Sequence, residues 1–387
     1  MERISNPFIV KGKIPSAYFC DREQETEKIV RWITNNNNVV LVSSRRLGKT
    51  KLIDHCFEQP AISERFYTIF VDILQTNNLQ EMTYELGKAV FEALSSRSRR
   101  MVDLFLQTVK SIHGEFGFDP IDGHPKLSFS IGHIENPTYT LNEIFQFIEG
   151  VDKPCILAID EFQRIAQYPE SNVEAILRTH IQQVTNCSFI FAGSERHLLS
   201  QMFQDKNRPF YESARLLALE KIEKEKYILF ANSLFVQYGK HIAPELIARV
   251  YDLHSGNTFA LQKTMNTAFS LTGINAECTT STIYNAIEEI LEDGEYEYRS
   301  RLMLVSTSQK EVLYAIARAG IASRVTSSAF IGRYKLSSAS SVQSAIRKLI
   351  ADGWISETVT DGIRYYQLND LFLALWIQKH YGMGYRL

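Results

Sequence analysis

The sequence predicts an α/β domain built on a parallel β-sheet, followed by a helical region and a small C-terminal domain of three helices and a hairpin. Over residues 21–219, short apolar runs alternate with helical patterns, and this order is typical of strand–helix–strand units that form a parallel sheet. From about residue 220 the pattern is helical up to residue 291. A two-residue turn signal near the C-terminus then predicts a hairpin.

Composition and charge limit the classes of protein that the chain can belong to. Its 387 residues correspond to two or three domains of ordinary size, and 45% hydrophobic with 22% charged residues excludes a disordered, collagen-like or coiled-coil chain. The net charge of −2 gives the whole chain no strong preference for nucleic acid or membrane. Residues 301–387 nevertheless carry 11 basic and 5 acidic side chains, so this segment is at +6 and the remainder at −8. That asymmetry indicates a partner for the basic segment.

The cysteines and the hydropathy predict a cytoplasmic protein without a membrane segment. No apolar stretch approaches the roughly 20 residues of a membrane span, and the N-terminus has no long apolar region. No CxxC pair is present, which argues against a disulfide framework or a zinc site and favours a reducing compartment. The five cysteines are Cys20, Cys56, Cys155, Cys187 and Cys278.

The α/β region begins with a predicted helix. Asp21 and Gln24 have the spacing of a capping box, and Ile29, Trp32 and Ile33 share one face of the helix that would follow. Further helices are predicted over 49–58, 78–94 and 172–184. The apolar runs do not alternate with polar residues, which is typical of strands buried on both faces. They lie at 39–42, 67–73, 155–159 and 188–192, with a weaker one at 216–219.

Two segments depart from this pattern. Residues 114–140 contain Gly, Pro and His with little periodicity, and we expect a surface insertion with a hairpin around 127–131. Residues 277–297 carry seven acidic and no basic side chains, which predicts a helix end and a solvated linker.

The segment from Ser43 to Lys51 carries the sharpest chemical signal. It follows a predicted strand, opens a predicted helix and contains Gly48-Lys49-Thr50, the context of a phosphate-binding P-loop, although Ser43 replaces the first glycine of the full motif. Backbone N–H groups of such a loop bind phosphate oxygens, the lysine neutralises phosphate charge and the Thr50 hydroxyl ligates Mg²⁺. The predicted ATP-binding residues are Ser43, Ser44, Arg45, Arg46, Leu47, Gly48, Lys49, Thr50 and Lys51.

Two adjacent carboxylates, Asp160 and Glu161, end the predicted strand at 155–159. Beside a P-loop strand, Asp160 is predicted to hold Mg²⁺ together with Thr50, and Glu161 to polarise the water that attacks the γ-phosphate. A strand that simply ends in solvated charge would have the same residues.

The next strand ends in Gly193-Ser194. Ser194 is predicted to sense the γ-phosphate or to orient the water, and a tight turn after a strand is the alternative. Three arginines that follow could act on a phosphate in cis or in trans: Arg196, Arg208 and Arg215.

Five segments in this order resemble the prokaryotic AAA-type ATPases of the archaeal-ATPase group, which are related to the STAND-type switch ATPases. The resemblance implies a P-loop NTPase sheet, a helical lid and a C-terminal winged helix, and it implies that residues 19–25 pack near the adenine. Paired arginines such as Arg45 and Arg46 are common in that family. At Glu212-Ser213 many members have Gly-Arg, so no arginine is transferred from there. The segments are SSRRLGKT, CILAIDEFQ, FIFAGSERHLL, NRPFYESAR and HSGNTFALQ.

Residues 298–387 have the order of a winged helix-turn-helix domain. Helices are predicted over 309–319, from Thr326 to residue 334, and from Ser337 or Ser338 to a stop at Gly353. Strands at 354–358 and 363–368 flank Asp361-Gly362, a strong hairpin signal. The apolar face of the third helix contains Val342, Ala345, Ile346, Leu349 and Ile350.

The opposite face of the third helix and the hairpin supply candidate DNA-binding residues. Small polar and basic side chains suit a major groove, and a basic wing can contact adjacent phosphates. Winged helices also serve as docking modules, so the predicted partner is duplex DNA or a partner protein. The candidates are Ser341, Ser344, Arg347, Lys348 and Arg364.

Together these observations predict a P-loop ATPase domain at 1–219, a helical lid at 220–297 and a winged helix at 298–387. The expected function is Mg²⁺-dependent ATP binding and slow hydrolysis in a nucleotide-controlled switch, with Glu161 and Ser194 as catalytic residues. One alternative is a nucleotide-dependent DNA-binding regulator with little turnover. Another is a docking protein in which ATP is only structural. The sequence leaves the oligomeric state open.

Overall fold

The chain forms two compact units in a computed structural model that describes residues 5–95, 99–112, 115–118, 125–128, 134–382 and 384–385. One unit is Lys13–Glu220, and the other joins the N-terminal residues up to Gly12 with Lys221–Leu387. The sequence predicts that residues 1–12 belong to the ATPase domain, but the described ones among them pack with the helices of the second unit. Phe8 is fully buried there, against Phe235 and Phe269.

The first unit contains strands and helices in alternation. Its strands are β1 (Val39–Ser43), β2 (Tyr67–Asp72), β3 (Glu115–Phe118), β4 (Pro125–Ser128), β5 (Cys155–Asp160), β6 (Cys187–Gly193) and β7 (Arg215–Leu219). Its helices are α1 (Glu23–Thr34), α2 (Lys49–Glu58), α3 (Pro60–Ser63), α4 (Leu79–Ser95), α5 (Arg99–Thr108), α6 (Pro137–Gly150), α7 (Val173–Gln183) and α8 (Arg196–Gln204), with short 3-10 helices at Ser16–Tyr18 and Phe162–Gln167.

Five of these strands form one parallel sheet in the order β2-β5-β6-β1-β7. Every residue of β1 and β5 is buried, because helices cover both faces of the sheet. Alternate residues of β1 enter different cores: Val40 and Val42 join one, and Val39 and Leu41 join the other. The predicted α/β class and all five predicted strands are confirmed. Each strand end lies within one residue of the predicted end.

The sheet order places three strands with functional candidates side by side. β5 lies next to β6, and β6 lies next to β1. Since the strands are parallel, their carboxyl ends meet at one edge, where ligands bind in open α/β sheets. Val42 is paired with Gly193, and Asp72 is paired with Asp160, so the residues that follow these positions lie at the same level of the sheet.

Local predictions were wrong at the start of α1 and in part in the insertion. The residue before α1 is Arg22, with a φ of 79° and no side-chain cap, so Asp21 does not open the helix as a capping box. Arg22 is instead buried and donates to the Glu220 carbonyl oxygen at 2.6 Å and to Glu25. In the insertion, β3 and β4 form an antiparallel pair, and residues 129–131 of the predicted hairpin lie outside the described residues.

The second unit is mainly helical. Its helices are α9 (Lys224–Gln237), α10 (Pro244–Leu253), α11 (Thr258–Leu271), α12 (Thr280–Met303), α13 (Thr307–Ala319), α14 (Ser328–Tyr334), α15 (Ala339–Ala351) and α16 (Leu371–Tyr381). Its strands are β8 (His241–Ile242), β9 (Glu277–Cys278), β10 (Ala322–Ser323), β11 (Ile355–Thr360) and β12 (Ile363–Leu368). The short β8 and β9 pair in parallel inside a region that the sequence predicted as wholly helical.

The acidic stretch is not a linker, and that prediction was wrong. Most of it belongs to α12, a continuous helix of 24 residues with a capping box at Thr279. Ile283, Ile287 and Ile290 lie on the buried face, while Glu289, Glu292, Asp293 and Glu297 are exposed. The acids are therefore the solvated face of an amphipathic helix. The expected boundary at 297 and 298 lies inside this helix.

The C-terminal part has the three helices and hairpin that the sequence predicts. α13, α14 and α15 are followed by β11 and β12, and β10 adds a third strand in the order β10-β12-β11. Asp361 and Gly362 have φ angles of 51° and 74°, as a tight hairpin turn requires. The cap of α14 is Ser327 rather than the predicted Thr326, and the cap of α15 is Ser338.

Among the described residues, no helix combines the length and the apolar character needed to cross a bilayer.

Candidate functional site

The P-loop candidates connect β1 to the first turn of α2. Gly48 immediately precedes α2 with a φ of 87°, and Arg46 has a φ of 65°, so the loop turns sharply before the helix begins at Lys49. No side chain caps this helix among the described residues, which leaves its first backbone N–H groups available to an anion. The arrangement suits the phosphates of a nucleotide.

The remaining P-loop candidates differ in position. Ser43 and Leu47 are buried, and the Ser43 hydroxyl has no hydrogen-bond partner. Ser44, Arg45 and Arg46 are exposed on the loop. Lys51 forms an ion pair with Asp54 on the same helix at 3.1 Å. Its ion-pair partner is therefore neither Asp160 nor Glu161.

Lys49 forms a buried ionic cluster with the two acids at the end of β5. Its ammonium group donates to Asp160 and to the Oε1 atom of Glu161, the latter at 3.0 Å. The side chains of Lys49 and Asp160 are only 8% and 6% exposed. Thr50 donates from its hydroxyl to the second Asp160 oxygen at 2.8 Å. The structure thus brings the predicted lysine, hydroxyl and carboxylates into direct contact.

Glu161 lies in the turn between β5 and the 3-10 helix at Phe162–Gln167. Its φ is 56°, a left-handed conformation that is uncommon for a residue with a side chain, and its backbone N–H donates to Asp160 at 2.9 Å. The Oε2 atom accepts from the Ser194 hydroxyl at 2.8 Å and from Gln163 at 2.6 Å. Burial raises the pKa of Glu161, but the charge of Lys49 and these hydrogen bonds outweigh it, so the pKa lies below its usual value. The carboxylate is therefore held in its charged form.

Two residues of this edge were missed by the sequence analysis. Asp72 ends β2 opposite Asp160, and burial raises its pKa, an effect that the negative charges of Asp160 and Glu161 reinforce. Gln163 contacts Glu161 directly. Asp72 lies near the end of the predicted strand at 67–73, and Gln163 lies two residues after Glu161. The sequence contains both residues at these places, but only the order of the strands shows that they belong to the same edge of the sheet.

The segment expected near the adenine packs against α2. Phe19 stacks on His55 with ring centroids 4.2 Å apart and planes 6° from parallel. His55 of this pair therefore lies on α2, the helix that begins at the predicted phosphate site.

The three candidate arginines are engaged elsewhere in the first unit. Arg196 pairs with Glu220, and Arg208 pairs with Glu174. Arg215 donates to Asn37 at 2.9 Å and lies over the ring of Trp32. None of their described contacts is with the acids of the site.

The candidate DNA-binding residues lie on α15 and the hairpin. Ser341 is half-buried, and Ser344, Arg347 and Lys348 are exposed. Lys348 pairs with Asp352 at 3.5 Å, and Arg364 pairs with Glu357 at 3.7 Å.

An open cleft of about 460 Å³ separates α15 from the hairpin. Arg324, Arg347 and Arg364 line it, together with Glu357. Ile350 was predicted on the buried face but is 36% exposed, because it lies at the open cleft and lines it. The cleft therefore combines three arginines with an apolar wall.

The donor set beside the P-loop fits Mg²⁺. A carboxylate and a hydroxyl oxygen, from Asp160 and Thr50, are the hard oxygen ligands that Mg²⁺ uses in nucleotide sites, where the phosphates supply further ligands. Among the described residues, no group of three or more His, Cys, Asp or Glu side chains could hold a metal alone. A cation held by Asp160 and Thr50 would need further ligands from the nucleotide.

The sheet order, the P-loop and the paired acids define a P-loop nucleotide-binding protein. The chain matches the model of a family described as an ATPase domain predominantly from Archaea over residues 19–264, and that of a probable winged helix domain over residues 296–379. The chain belongs to this family of ATPase domains, since the first match covers more than half of its length. No curated protein matches it.

Several solved structures share the fold along almost the whole chain. The Walker-type ATPase PABY2304 of Pyrococcus abyssi is 19% identical with a TM-score of 0.61, covering 96% of this chain and 99% of that one. The ORC2 protein of Aeropyrum pernix, in its ADPNP–ADP complexes, is 14% identical with a TM-score of 0.58, covering 96% and 97%. The ORC1 protein of Aeropyrum pernix, in complex with DNA, is 13% identical with a TM-score of 0.54, covering 97% of each chain. At these identities the likeness concerns the fold.

We predict that Lys49 stabilises the nucleotide-free protein. In Lys49→Met the buried Asp160 loses its cation, so the free energy of unfolding should fall by about 3 kcal/mol. Adding Asp160→Asn should recover much of that loss, because the unpaired charge is then removed. Urea unfolding of the nucleotide-free protein measures both effects.

The matched control is Lys51→Met, which removes a half-exposed ion pair on the same helix and should cost less than about 1 kcal/mol. Equal stability of Lys49→Met and the wild type would contradict the prediction.

Proposed function

We propose that the chain is a Mg²⁺-dependent ATP hydrolase with a slow intrinsic rate that acts as a nucleotide-controlled switch. The observation that carries the proposal is the cluster of Lys49, Thr50, Asp160 and Glu161 at the carboxyl edge of the sheet. These side chains come from two neighbouring segments of the P-loop fold and together supply the charges that phosphoryl transfer requires.

ATP binding requires Lys49 to change partners. In the structure its ammonium group is paired with Asp160 and Glu161. The phosphates would lie against the first turn of α2, where uncapped N–H groups point outward, and would draw Lys49 away from the acids. A phosphate chain can replace two carboxylates as the partner of one cation because it carries several negative charges.

Asp160 and Thr50, whose oxygens are hydrogen-bonded to each other, would hold Mg²⁺. Bound there, Mg²⁺ supplies positive charge next to the phosphate oxygens. Asp160 would exchange its contact with Lys49 for this role. Lys49 and Thr50 are adjacent in sequence, so the two exchanges are coupled by the backbone of α2.

Glu161 is the proposed general base. Once Lys49 turns to phosphate, Glu161 would use Oε1 to accept a proton from water as the water oxygen bonds to the γ-phosphorus and the bond to the β-phosphate oxygen breaks, giving ADP and phosphate. The hydrogen bonds from Gln163 and Ser194 to Oε2 do not involve Lys49 and would keep the carboxylate charged and in place after Lys49 has turned away. Ser194 donates its one hydroxyl proton to the other carboxylate oxygen, so it would sense the γ-phosphate through Glu161 and not by a hydrogen bond of its own.

A slow rate is supported by the positions of the arginines. Charge that develops on the transferred phosphoryl group is usually stabilised by an arginine, and its contribution to kcat is large. In the described part of the chain, Arg196, Arg208 and Arg215 are each bound to other residues of the first unit. A partner or a second copy of the chain that supplied an arginine would then raise the rate of ATP hydrolysis. Such control of the bound nucleotide by a partner is what a switch requires.

Duplex DNA is the proposed partner of the C-terminal domain, with a partner protein as the alternative. Three arginines from separate elements, Arg324, Arg347 and Arg364, surround one open cleft between α15 and the hairpin. Arginines brought together in this way suit phosphate oxygens, and α15 has the exposed small and basic side chains of a groove-binding helix. The ORC1 structure of the same fold contains DNA, which agrees with this proposal. If turnover proves negligible, the chain is better described as a nucleotide-dependent DNA-binding regulator.

We expect Glu161→Gln to separate ATP binding from hydrolysis. The amide keeps the shape of the side chain but cannot accept a proton, so kcat should fall by about 10²-fold or more while the affinity for ATP stays close to that of the wild type. Steady-state ATPase assays and equilibrium binding of labelled ATP measure the two quantities. Glu195→Gln, at an exposed carboxylate beside Ser194, is the control and should keep wild-type turnover. Near-normal turnover in Glu161→Gln would move the general base to another residue.

DNA binding by the full-length protein should depend on salt and on the arginines of the cleft. Arg347→Ala combined with Arg364→Ala should weaken binding to every duplex by a similar factor and flatten its salt dependence, because phosphate contacts carry no sequence information. Titration of duplex DNA at two salt concentrations, with and without ATP, measures this. Arg318→Ala, exposed on α13 and outside the cleft lining, is the control. Absence of salt-sensitive binding at low ionic strength would identify the domain as a protein-docking module.

A further inference from the structure

Gln163 is a buried side chain with only one of its two polar atoms satisfied. It is 1% exposed, and its Nε2 atom donates to Glu161 Oε2 at 2.6 Å. Its Oε1 atom has no hydrogen-bond partner, although it is buried. The opposite orientation of the amide would bring an oxygen against a carboxylate oxygen, so Glu161 determines which way the amide points. A buried oxygen without a hydrogen-bond partner lowers the stability of the folded protein, so an apolar side chain would fill this position at a lower cost in free energy.

The tip of β6 leaves room for this amide. A Cβ atom at Gly193 would overlap Gln163 Oε1 and would come close to the side chain of Leu199. Gly193 has no left-handed backbone conformation to explain it. The absence of a side chain at Gly193 is therefore what admits Gln163 beside Glu161.

The two oxygens of Glu161 have different kinds of partner. Oε2 accepts from Gln163, from the Ser194 hydroxyl at 2.8 Å and from the Ser194 backbone N–H at 3.3 Å. Oε1 accepts from Lys49 at 3.0 Å. The partners of Oε2 are Gln163 and Ser194, which lie just after β5 and β6. The partner of Oε1 is Lys49, which a phosphate would draw away. Oε1 is thus the oxygen that becomes free for water.

We propose that Gln163 is a positioning residue for hydrolysis: with Ser194 it fixes Oε2 of Glu161, so that Oε1 is presented to the attacking water, and Gly193 provides the space that this requires. This inference rests on the proposed function, in which Glu161 is the general base. Gln163 contacts neither the water nor the nucleotide in this account and acts only through Glu161. A donor on Oε2 also holds the carboxylate in place at the moment when Lys49 leaves Oε1.

The test is a double-mutant cycle between Gln163 and Glu161. Gln163→Met keeps the volume but removes the donor, so kcat should fall about tenfold while KM and the affinity for ATP remain unchanged. In a Glu161→Gln background the same change should have no further effect on the single-turnover rate, because there is no carboxylate left to position. Thermal melting of each variant reports whether it folds.

Gly193→Ala is the second variant, and it keeps the proposal testable if Gln163→Met does not fold. Its methyl group should displace the amide and lower kcat without changing KM, again only when Glu161 is present. Gln167→Met is the control, because Gln167 lies at the other end of the same 3-10 helix, is exposed and contacts Arg164 rather than Glu161.

Each outcome decides between the two proposals. A tenfold loss of kcat that disappears in the Glu161→Gln background supports the positioning role. Wild-type kcat in Gln163→Met, a change confined to KM, or an equal loss in both backgrounds would overturn it while leaving Glu161 as the base. If Glu161→Gln itself keeps normal turnover, the proposed general base is wrong and the role of Gln163 falls with it.

Discussion

The buried contact of Lys49 with Asp160 and Glu161 is the interaction on which the rest of the site depends. One cation offsets two carboxylates at the edge of a sheet in which β1 and β5 are fully buried. Neither acid would be stable there as an unpaired charge. The parallel order of β1, β6 and β5 creates this contact, because it brings the P-loop and the acid pair to one edge although about 110 residues separate them.

In the proposed mechanism, ligand binding at this site is an exchange of partners. ATP and Mg²⁺ would take over the charges that Lys49, Thr50 and Asp160 now share, and the free energy of the internal contacts is subtracted from the binding free energy. Glu161 differs from the others, because Gln163 and Ser194 hold it independently of Lys49. In the proposed mechanism the binding residues exchange partners, whereas the proposed general base, Glu161, keeps its position.

Sequence reasoning succeeds where the signal is local and fails where it depends on pairing. Gly48, Lys49 and Thr50 are contiguous, and the apolar runs before them and before Asp160 identify strands without knowledge of the fold. Residues 277–297 were misjudged because a count of charges does not show that the acids share one face of α12. The contact between Gln163 and Gly193 could not be found, because it depends on two neighbouring strand ends and on the left-handed turn at Glu161.

The central claim is that nucleotide replaces the acids as the partner of Lys49 and leaves Glu161 in place. A crystal structure of the wild-type protein with Mg²⁺ and a non-hydrolysable ATP analogue tests it most directly, through the distances from Lys49 Nζ and from Glu161 Oε2. We expect Lys49 Nζ within hydrogen-bond distance of a phosphate oxygen and no longer at Glu161, with Oε2 still bound by Gln163 and Ser194. A bound analogue with Lys49 still paired to both carboxylates would contradict it.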